Sequence, residues 1–327
     1  MKIGLIGDNI NFPSLPLMKI SSYHKTKGDN VKLIDNYIEH FDLAYVSKTF
    51  NLSIKKIKKV EQLPIQADKI IYGGTGFAIE VINGKEIYKK EKDKNLPNEI
   101  EHIYPDYSLY PEYTKNTAYG FLTRGCCNNC DFCIVSQKEG KCSKQVAELS
   151  EFWRGQKNIK LMDGNILACQ DREQLLQQLI NSKAGIDYTQ GLDARFIDKH
   201  IAKMICQTRI KMIHFAFDFM KNEKSIIRGL KIFNENTELS DRYKKVYILT
   251  NYNTTLEEDY YRVKKVTELG YQPDIRIYQK GTQPRFLTDL ARWANNSFIY
   301  RSCNFEDYVP RTDGKRIKDI YNYSFLH

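Results

Sequence analysis

The segment Thr123–Cys133 reads TRGCCNNCDFC and places four of the chain's eight cysteines within eight positions. Cys126, Cys130 and Cys133 have C-x3-C-x2-C spacing, and the segment begins where a strand predicted over Tyr119–Thr123 ends. Three thiolates on one tight loop can ligate three irons of a cubane 4Fe–4S cluster, which leaves the fourth iron open to a small-molecule ligand. The spacing therefore predicts a metal-cluster loop that follows a strand.

Other thiolate chemistry is compatible with the same loop. A structural zinc site would use Cys127, Cys130, Cys133 and Cys142, although only one closely spaced cysteine pair is present where zinc sites usually have two. An electron-transfer cluster with four protein ligands would recruit Cys127 or Cys142 as its fourth. Ordinary buried thiols are not expected to cluster in this way. A disulfide framework is not expected either in a chain of 327 residues without a recognisable signal sequence.

Short apolar strands alternate with amphipathic helices over residues 1–100, and this order predicts a doubly wound, Rossmann-like parallel sheet. The predicted strands are Lys2–Ile6, Val31–Ile34, Leu43–Val46 and Lys69–Tyr72, and the predicted helices are Leu15–Gly28 and Ile54–Val60. A charged and then Pro- and Tyr-rich stretch, residues 85–117, is typical of a linker. We assign residues 1–112 to this domain and its linker.

A second series of strands and helices begins at Tyr119 and predicts a partial TIM-type barrel of six βα units. Its predicted strands are Tyr119–Thr123, Ile159–Met162, Gly185–Gln190, Met212–Phe217, Val246–Thr250 and Asp274–Tyr278, and its helices are 144–156, 171–182, 197–206, 224–236, 256–269 and 285–296. We assign residues 113–285 to the barrel and 286–327 to a C-terminal extension. Chemistry in such barrels lies at the carboxyl ends of the strands.

The net charge of +10 suits nucleic acid, an anionic substrate or an acidic redox partner. The charge is diffuse, however, because residues 1–100 hold sixteen Lys, no Arg and twelve acidic residues, so it identifies no partner. No apolar run has the length of a membrane span, and the first residues lack the apolar core of a signal peptide. We therefore expect a cytoplasmic protein with no membrane partner; the sequence does not predict its oligomeric state.

The motif GCCNNCDFC, with Phe132 before its last cysteine, resembles the signature of the radical S-adenosylmethionine (radical SAM) enzymes, and the resemblance covers roughly residues 115–285. The preceding YPDY and YPEY sequences resemble proteins in which a cobalamin-binding-type domain precedes the barrel, a layout similar to that of tRNA methylthiotransferases. The resemblance implies a 4Fe–4S cluster on Cys126, Cys130 and Cys133. It also implies that SAM binds the open iron and is cleaved by one electron from a flavodoxin- or ferredoxin-type reductant. The resulting 5′-deoxyadenosyl radical abstracts hydrogen from a substrate.

The resemblance also implies SAM contacts near the cluster loop and at the ends of later strands. The candidates are Phe132, Asp163, Gly164, Asn165, Gln190, Asp193, Arg195, Asp218, Asn251 and Arg276. Polar residues at strand ends are also common as helix caps and turn formers, and Arg195 could simply pair with Asp193 or Asp198. Arg276 differs, because a charged residue inside an apolar strand is expected to need a buried partner or a ligand.

The N-terminal domain lacks the Asp-x-His-x-x-Gly motif that supplies a histidine to cobalamin, so cobalamin binding is possible but has no motif to support it. Residues 7–12 read GDNINF without a histidine, and we expect His24 on the surface of its helix. The glycine-rich sequence at residues 73–76 predicts a tight turn, with a cofactor phosphate or tail as the alternative.

The predicted activity is reductive cleavage of SAM followed by hydrogen abstraction from an unidentified substrate. The alternatives are a cobalamin-dependent radical SAM methyltransferase, a radical SAM enzyme that modifies a nucleic-acid base, and a non-catalytic iron–sulfur or zinc protein. Thiolation is less favoured because it commonly uses a second cluster, and no second tight cysteine group is present.

Overall fold

The computed structural model describes residues 1–8, 12–49, 60–82, 85–311 and 314–326. The chain divides into two compact units, Met1–Met162 and Asp163–His327. Its class is mixed α/β, with one parallel sheet of four strands and another of six. Among the described residues, none of the helices combines the length and apolar character needed to cross a membrane.

The first unit begins with a parallel sheet in the order β2-β1-β3-β4. The strands of the whole first unit are β1 (Lys2–Gly7), β2 (Asn30–Leu33), β3 (His40–Ser47), β4 (Gln66–Gly73), β5 (Ile79–Ile82), β6 (Lys85–Tyr88), β7 (Thr117–Gly120), β8 (Thr123–Arg124), β9 (Lys144–Gln145) and β10 (Asn158–Leu161). Its helices are α1 (Leu15–Thr26), α2 (Asn98–Glu101), α3 (Pro111–Thr114) and α4 (Val135–Glu139). The helix predicted over Ile54–Val60 falls, up to residue 59, outside the described residues.

Strand β1 lies inside the four-stranded sheet because apolar side chains project from both of its faces. Ile3 and Leu5 pack with Leu17 of α1 on one face, while Ile6 packs with Phe41 on the other. A strand buried on both faces is typical of parallel sheets that are covered on both sides.

The second unit continues the alternation of strands and helices. Its strands are β11 (Gly185–Leu192), β12 (Arg209–Ala216), β13 (Lys244–Thr250) and β14 (Gln272–Ile277). Its helices are α5 (Arg172–Ser182), α6 (Lys199–Gln207), α7 (Glu223–Glu235), α8 (Leu256–Glu268), α9 (Arg285–Asn295), α10 (Ser297–Ser302) and α11 (Ile317–Ile320). The six-stranded sheet has the order β14-β13-β12-β11-β10-β7.

Aromatic packing fixes which face of β12 meets the helices. The ring of Phe215 lies 5.1 Å from that of Phe233 on α7, and all of Phe215 is buried. Because side chains alternate along a strand, His214 and Ala216 point to the opposite face of the sheet.

The α-helix predicted over residues 144–156 is wrong. Residues 144 and 145 instead form β9, which pairs antiparallel with β8. A 3₁₀ turn follows at Leu149–Glu151, closed by a reciprocal capping box between Glu148 and Glu151. Strand pairing with residues far along the chain therefore prevails over the local helical pattern. The stretch predicted as a linker also begins with a strand, because β6 pairs with β5 in a hairpin.

Candidate functional site

The predicted cluster ligands lie on a loop whose two ends are joined. Strands β8 and β9 pair through Thr123 with Gln145 and through Arg124 with Lys144. Just inside this ladder, the Cys126 amide donates a hydrogen bond to the Gly140 carbonyl at 3.1 Å. The chain at 125–143, which we call the cysteine loop, is therefore closed at its base by backbone hydrogen bonds.

Glycine is required at the first position of the cysteine loop. Gly125 has φ +90°, and a Cβ added there would lie 2.1 Å from the Cys142 carbonyl oxygen. The Gly125 amide also donates to the Glu139 carboxylate at 3.2 Å, and Arg124 donates to the same carboxylate at 2.9 Å. The start of the loop is thus held against both the end of α4 and the chain at Cys142.

The three predicted ligands differ in exposure from the other two cysteines of the cysteine loop. Cys126, Cys130 and Cys133 are half-buried, whereas Cys127 and Cys142 are exposed, and none of the eight cysteines forms a disulfide. The backbone amide of Asn128 donates a hydrogen bond to the Cys126 sulfur at 3.4 Å, which holds that sulfur against the backbone of the cysteine loop.

The donor set fits an iron–sulfur cluster in chemistry, since three half-buried sulfurs share one closed loop. Within the described residues, no group of three His, Cys, Asp or Glu side chains is arranged to hold a metal ion. The assignment of Cys126, Cys130 and Cys133 as ligands therefore stays a prediction.

The second unit brings three of the predicted SAM contacts together. Asn165 is buried, and its side-chain amide donates to the Asp193 carboxylate at 3.5 Å. Arg195 donates to the same carboxylate through Nε at 2.8 Å and Nη2 at 2.6 Å. The pairing of Arg195 with Asp193, which the sequence left open, is confirmed. Asp163 is also buried, while Gly164 and Phe132 are half-buried.

A glycine on α7 sets the position of the Asp193–Arg195 turn. A Cβ added to Gly229 would lie 1.9 Å from the carbonyl oxygen of Ala194. The neighbouring Arg228 donates to the Arg195 carbonyl at 3.2 Å. The helix backbone therefore approaches the turn as closely as glycine allows, which the sequence alone did not reveal.

Asp218 lies just beyond β12 and is held by the next strand. Its carboxylate accepts a hydrogen bond from the Leu249 amide at 3.0 Å. Burial raises the pKa of Asp218, although the Leu249 amide and the charge of Arg262 act in the opposite direction. The carboxyl group is therefore easier to protonate than an ordinary aspartic acid.

A buried ion pair on α8, not singled out in the sequence, organises these strand ends. Arg262 and Asp259 are fully buried and pair with each other. The guanidinium of Arg262 donates to the carbonyls of Phe217 at 2.9 Å and Leu249 at 2.8 Å. The sequence could have predicted this ion pair, because two opposite charges lie three residues apart on a helix face that is otherwise apolar.

Asn251 continues this arrangement at the end of β13. Its backbone adopts φ +62°. The backbone N–H of Asn251 donates to the Asp259 carboxylate at 3.0 Å, and its side-chain amide donates to the Tyr278 carbonyl at 3.0 Å. These contacts fit the turn-forming role that polar residues commonly have at strand ends. A contact with SAM stays a prediction.

Arg276 was expected to need a buried partner or a ligand, and the structure gives it a largely buried partner while its own side chain is exposed. Its side chain is 59% exposed, and it pairs with Asp274 at 2.9 Å on the same strand. The physical reason is that residues 274 and 276 lie on the face opposite the buried Ile275, so the apolar pattern of the strand covers only one face. Gln190 on β11 is likewise exposed.

The expectation that His24 lies on the surface of its helix is also wrong. His24 is buried, with Nδ1 2.7 Å from the Asp29 carboxylate and Nε2 3.0 Å from the Tyr45 hydroxyl. Both ring nitrogens are therefore engaged by protein side chains.

The glycine-rich sequence forms the tight turn that was predicted. Gly74 has φ +101°, and a 3₁₀ turn follows at Thr75–Phe77. The Gly76 amide donates to the Lys48 carbonyl at 2.8 Å, which holds this turn at the end of β3.

A scan against protein-family models and a search of the curated proteins both find no match to this chain.

Proposed function

We propose that the chain is a radical SAM enzyme that holds a 4Fe–4S cluster through Cys126, Cys130 and Cys133. In this proposal, SAM is reductively cleaved to methionine and a 5′-deoxyadenosyl radical, which abstracts hydrogen from an unidentified substrate. The electron comes from a flavodoxin- or ferredoxin-type donor. The proposal includes a Rossmann-like N-terminal domain followed by a partial barrel. The structure supports this part of the proposal with two parallel sheets, one of four strands and one of six.

The observation that carries the proposal is the closed cysteine loop. It follows β7 in a parallel sheet and is joined at its base by the β8–β9 ladder. Its three half-buried cysteines have C-x3-C-x2-C spacing in the sequence, and the Cys126 sulfur accepts a backbone N–H bond. When bound there, a cluster with an open iron supplies a site for the amino and carboxylate groups of SAM and the electron that cleaves its C–S bond.

The residues of the chain would bind and orient SAM. Asn165 and Asp193 present hydrogen-bonding groups from one buried pair, so they are suited to a polar group of the nucleotide or the amino acid. Asp218, whose pKa is raised by burial, can offer a hydrogen bond as a neutral acid or accept one as a carboxylate. We retain Phe132, Asp163, Gly164, Arg195 and Asn251 as proposed contacts, and contacts of SAM with the exposed Gln190 and Arg276 stay predictions.

Anaerobic reconstitution of the full-length chain with iron and sulfide tests the proposal. We expect about four irons per chain and formation of 5′-deoxyadenosine from SAM in the presence of dithionite. Cys130→Ala should lose both, whereas Cys303→Ala, a half-buried cysteine outside the loop, should keep both. Zinc binding without SAM cleavage would overturn the proposal.

The exposed Cys127 tests the choice of ligands separately. Cys127→Ala should keep its iron and its SAM cleavage, because the proposed ligands are the three half-buried sulfurs. Loss of iron from this variant would show that the wrong three cysteines were assigned.

A further inference from the structure

A second group of side chains lies on the face of the second-unit sheet that points away from α7. His214 on β12 is buried except for 9% of its surface. Its ring stacks on Tyr247 of β13 with centroids 4.8 Å apart and planes 4° from parallel. On β14, the Arg276 guanidinium lies 4.9 Å from the centre of the Tyr247 ring. We call these three residues the His214 row.

The hydrogen bonds of His214 determine which nitrogen is available. Nδ1 lies 2.9 Å from the Tyr188 carbonyl, and because a carbonyl only accepts, Nδ1 carries the proton. Within the described residues, Nε2 has no hydrogen-bond partner and is not fully enclosed. Burial lowers the pKa of His214, so the ring is neutral near pH 7 and Nε2 has a lone pair to offer.

The surroundings hold the ring in place. The Tyr247 hydroxyl donates to the Thr189 carbonyl at 2.8 Å, which fixes the aromatic plane on which the imidazole stacks. The charged groups that influence His214 are Asp187 on β11, Lys245 on β13 and Asp274 on β14. Two carboxylates and the two cations Lys245 and Arg276 balance in formal charge, so the surroundings do not force the imidazole to take up a proton.

Arg276 provides the second half of the arrangement. One of its N–H groups is used by Asp274 at 2.9 Å, and the side chain remains 59% exposed. A guanidinium has five N–H donors in a planar fork, so donors remain for a carboxylate or phosphate. An acceptor at His214 and a donor fork at Arg276 therefore lie on either side of one aromatic ring.

We infer that the His214 row is a binding subsite for a small polar ligand. The ligand carries a hydroxyl or amine that donates to Nε2 of His214 and a carboxylate or phosphate oxyanion that accepts from Arg276. Within the described residues Nε2 is an acceptor that no protein group uses, and such a ligand supplies its hydrogen bond. We identify this ligand with the substrate of the reaction, and that identification rests on the proposed function.

Histidine-resolved NMR on the full-length protein tests the inference. Six histidines give six ¹³Cε1 signals, and the His214 signal is the one lost in His214→Phe, or the one with nuclear Overhauser contacts to Tyr247 if that variant does not fold. We expect a saturable shift of this signal with L-serine or with ribose 5-phosphate, and the probe that acts distinguishes carboxylate from phosphate. His200, on the exposed face of α6, should not respond.

Arg276→Gln should weaken the binding of the responding probe by at least about tenfold, because it removes a charge-assisted hydrogen bond. The inference is overturned if neither probe shifts the His214 signal, if only SAM does, or if Arg276→Gln binds the probe as well as the native chain. The L-serine and ribose 5-phosphate titrations need neither cluster nor SAM, so their failure is separate from a failure of SAM cleavage.

Discussion

The guanidinium of Arg262 donates a hydrogen bond to the backbone carbonyl of Asp218 at 3.0 Å, although the two residues are 44 positions apart in the sequence. The same guanidinium reaches the Leu249 carbonyl, while the Leu249 amide donates to the Asp218 carboxylate. One buried cation therefore joins the ends of β12 and β13 at the point where the Asp218 side chain is oriented.

Removing the charge of Arg262 should be costly. In Arg262→Met, Asp259 remains as a buried carboxylate without its cation, and four backbone carbonyl groups lose a donor. We expect the free energy of unfolding to fall by about 3–5 kcal/mol, as measured by chemical denaturation. Arg209→Met, at an exposed position on β12, should change it by less than about 0.5 kcal/mol. Equal stability of the two variants would contradict this role.

Asp218→Asn should stabilise the protein at neutral pH. The folded-state pKa of Asp218 lies above its unfolded value, so its stabilising effect is complete below the unfolded pKa and is lost as pH rises through the folded pKa. Asparagine keeps an oxygen for the Leu249 amide and removes this loss. Thermal unfolding between pH 4 and pH 8 should show a gain at high pH that disappears toward about pH 4.

Asp307→Asn is the control of opposite sign. Lys318 lowers the pKa of Asp307, so its contribution is present at neutral pH and is lost as pH falls through the folded pKa. This variant should show no stability gain at neutral pH. A gain in both variants would mean that the effect of Asp218→Asn does not come from its raised pKa.

Two glycines of the cysteine loop, one at its start and one near its end, allow a comparison of backbone strain with steric contact. Gly125 and Gly140 both have positive φ, but only Gly125 has a neighbouring atom in the way of a Cβ. Gly140→Ala should cost about 1–3 kcal/mol of unfolding free energy through backbone strain alone. Gly125→Ala should cost more and should also bind less iron after reconstitution, because the chain at Cys142 must move. Equal iron content in both variants would argue against the importance of this close approach.

Gly229→Ala should destabilise the protein even though alanine is the better helix former. The Ala194 carbonyl oxygen occupies the space of the new methyl group, so α7 or the turn that carries Asp193 must shift. We expect a loss of about 1–3 kcal/mol in the free energy of unfolding. Lys231→Ala, exposed on the same helix, should be within about 0.5 kcal/mol of the native chain. Any gain in stability from Gly229→Ala would show that the contact can relax.

Where the apolar pattern and the turn signals agreed, the sequence predicted the elements of the second unit well. Helix α8 was predicted at 256–269 and observed at Leu256–Glu268, where Thr255 and Glu258 form a capping box. Strand β13 was predicted and observed to end at Thr250. These signals are local, so one sequence is enough to recognise them.

The interactions that were missed are long-range. The pairing of β8 with β9 joins residues that are 20 and 22 positions apart, so it could not be recognised from the local pattern at 144–156, which resembled a helix. The close approach of Gly229 to Ala194 likewise depends on tertiary packing. At the candidate site, spacing was enough to propose three cysteines, but not to show that Arg276 lies on an exposed face.

The short ladder between β8 and β9 has a consequence for metal uptake by the folded chain. By joining the ends of the cysteine loop, it limits how far apart the three thiols proposed as ligands can move before any iron binds. Once one sulfur has captured a metal, the other two meet it at an effective concentration on the order of millimolar or higher, as in a multidentate chelator. Assembly at this loop should therefore depend little on which cysteine is metallated first.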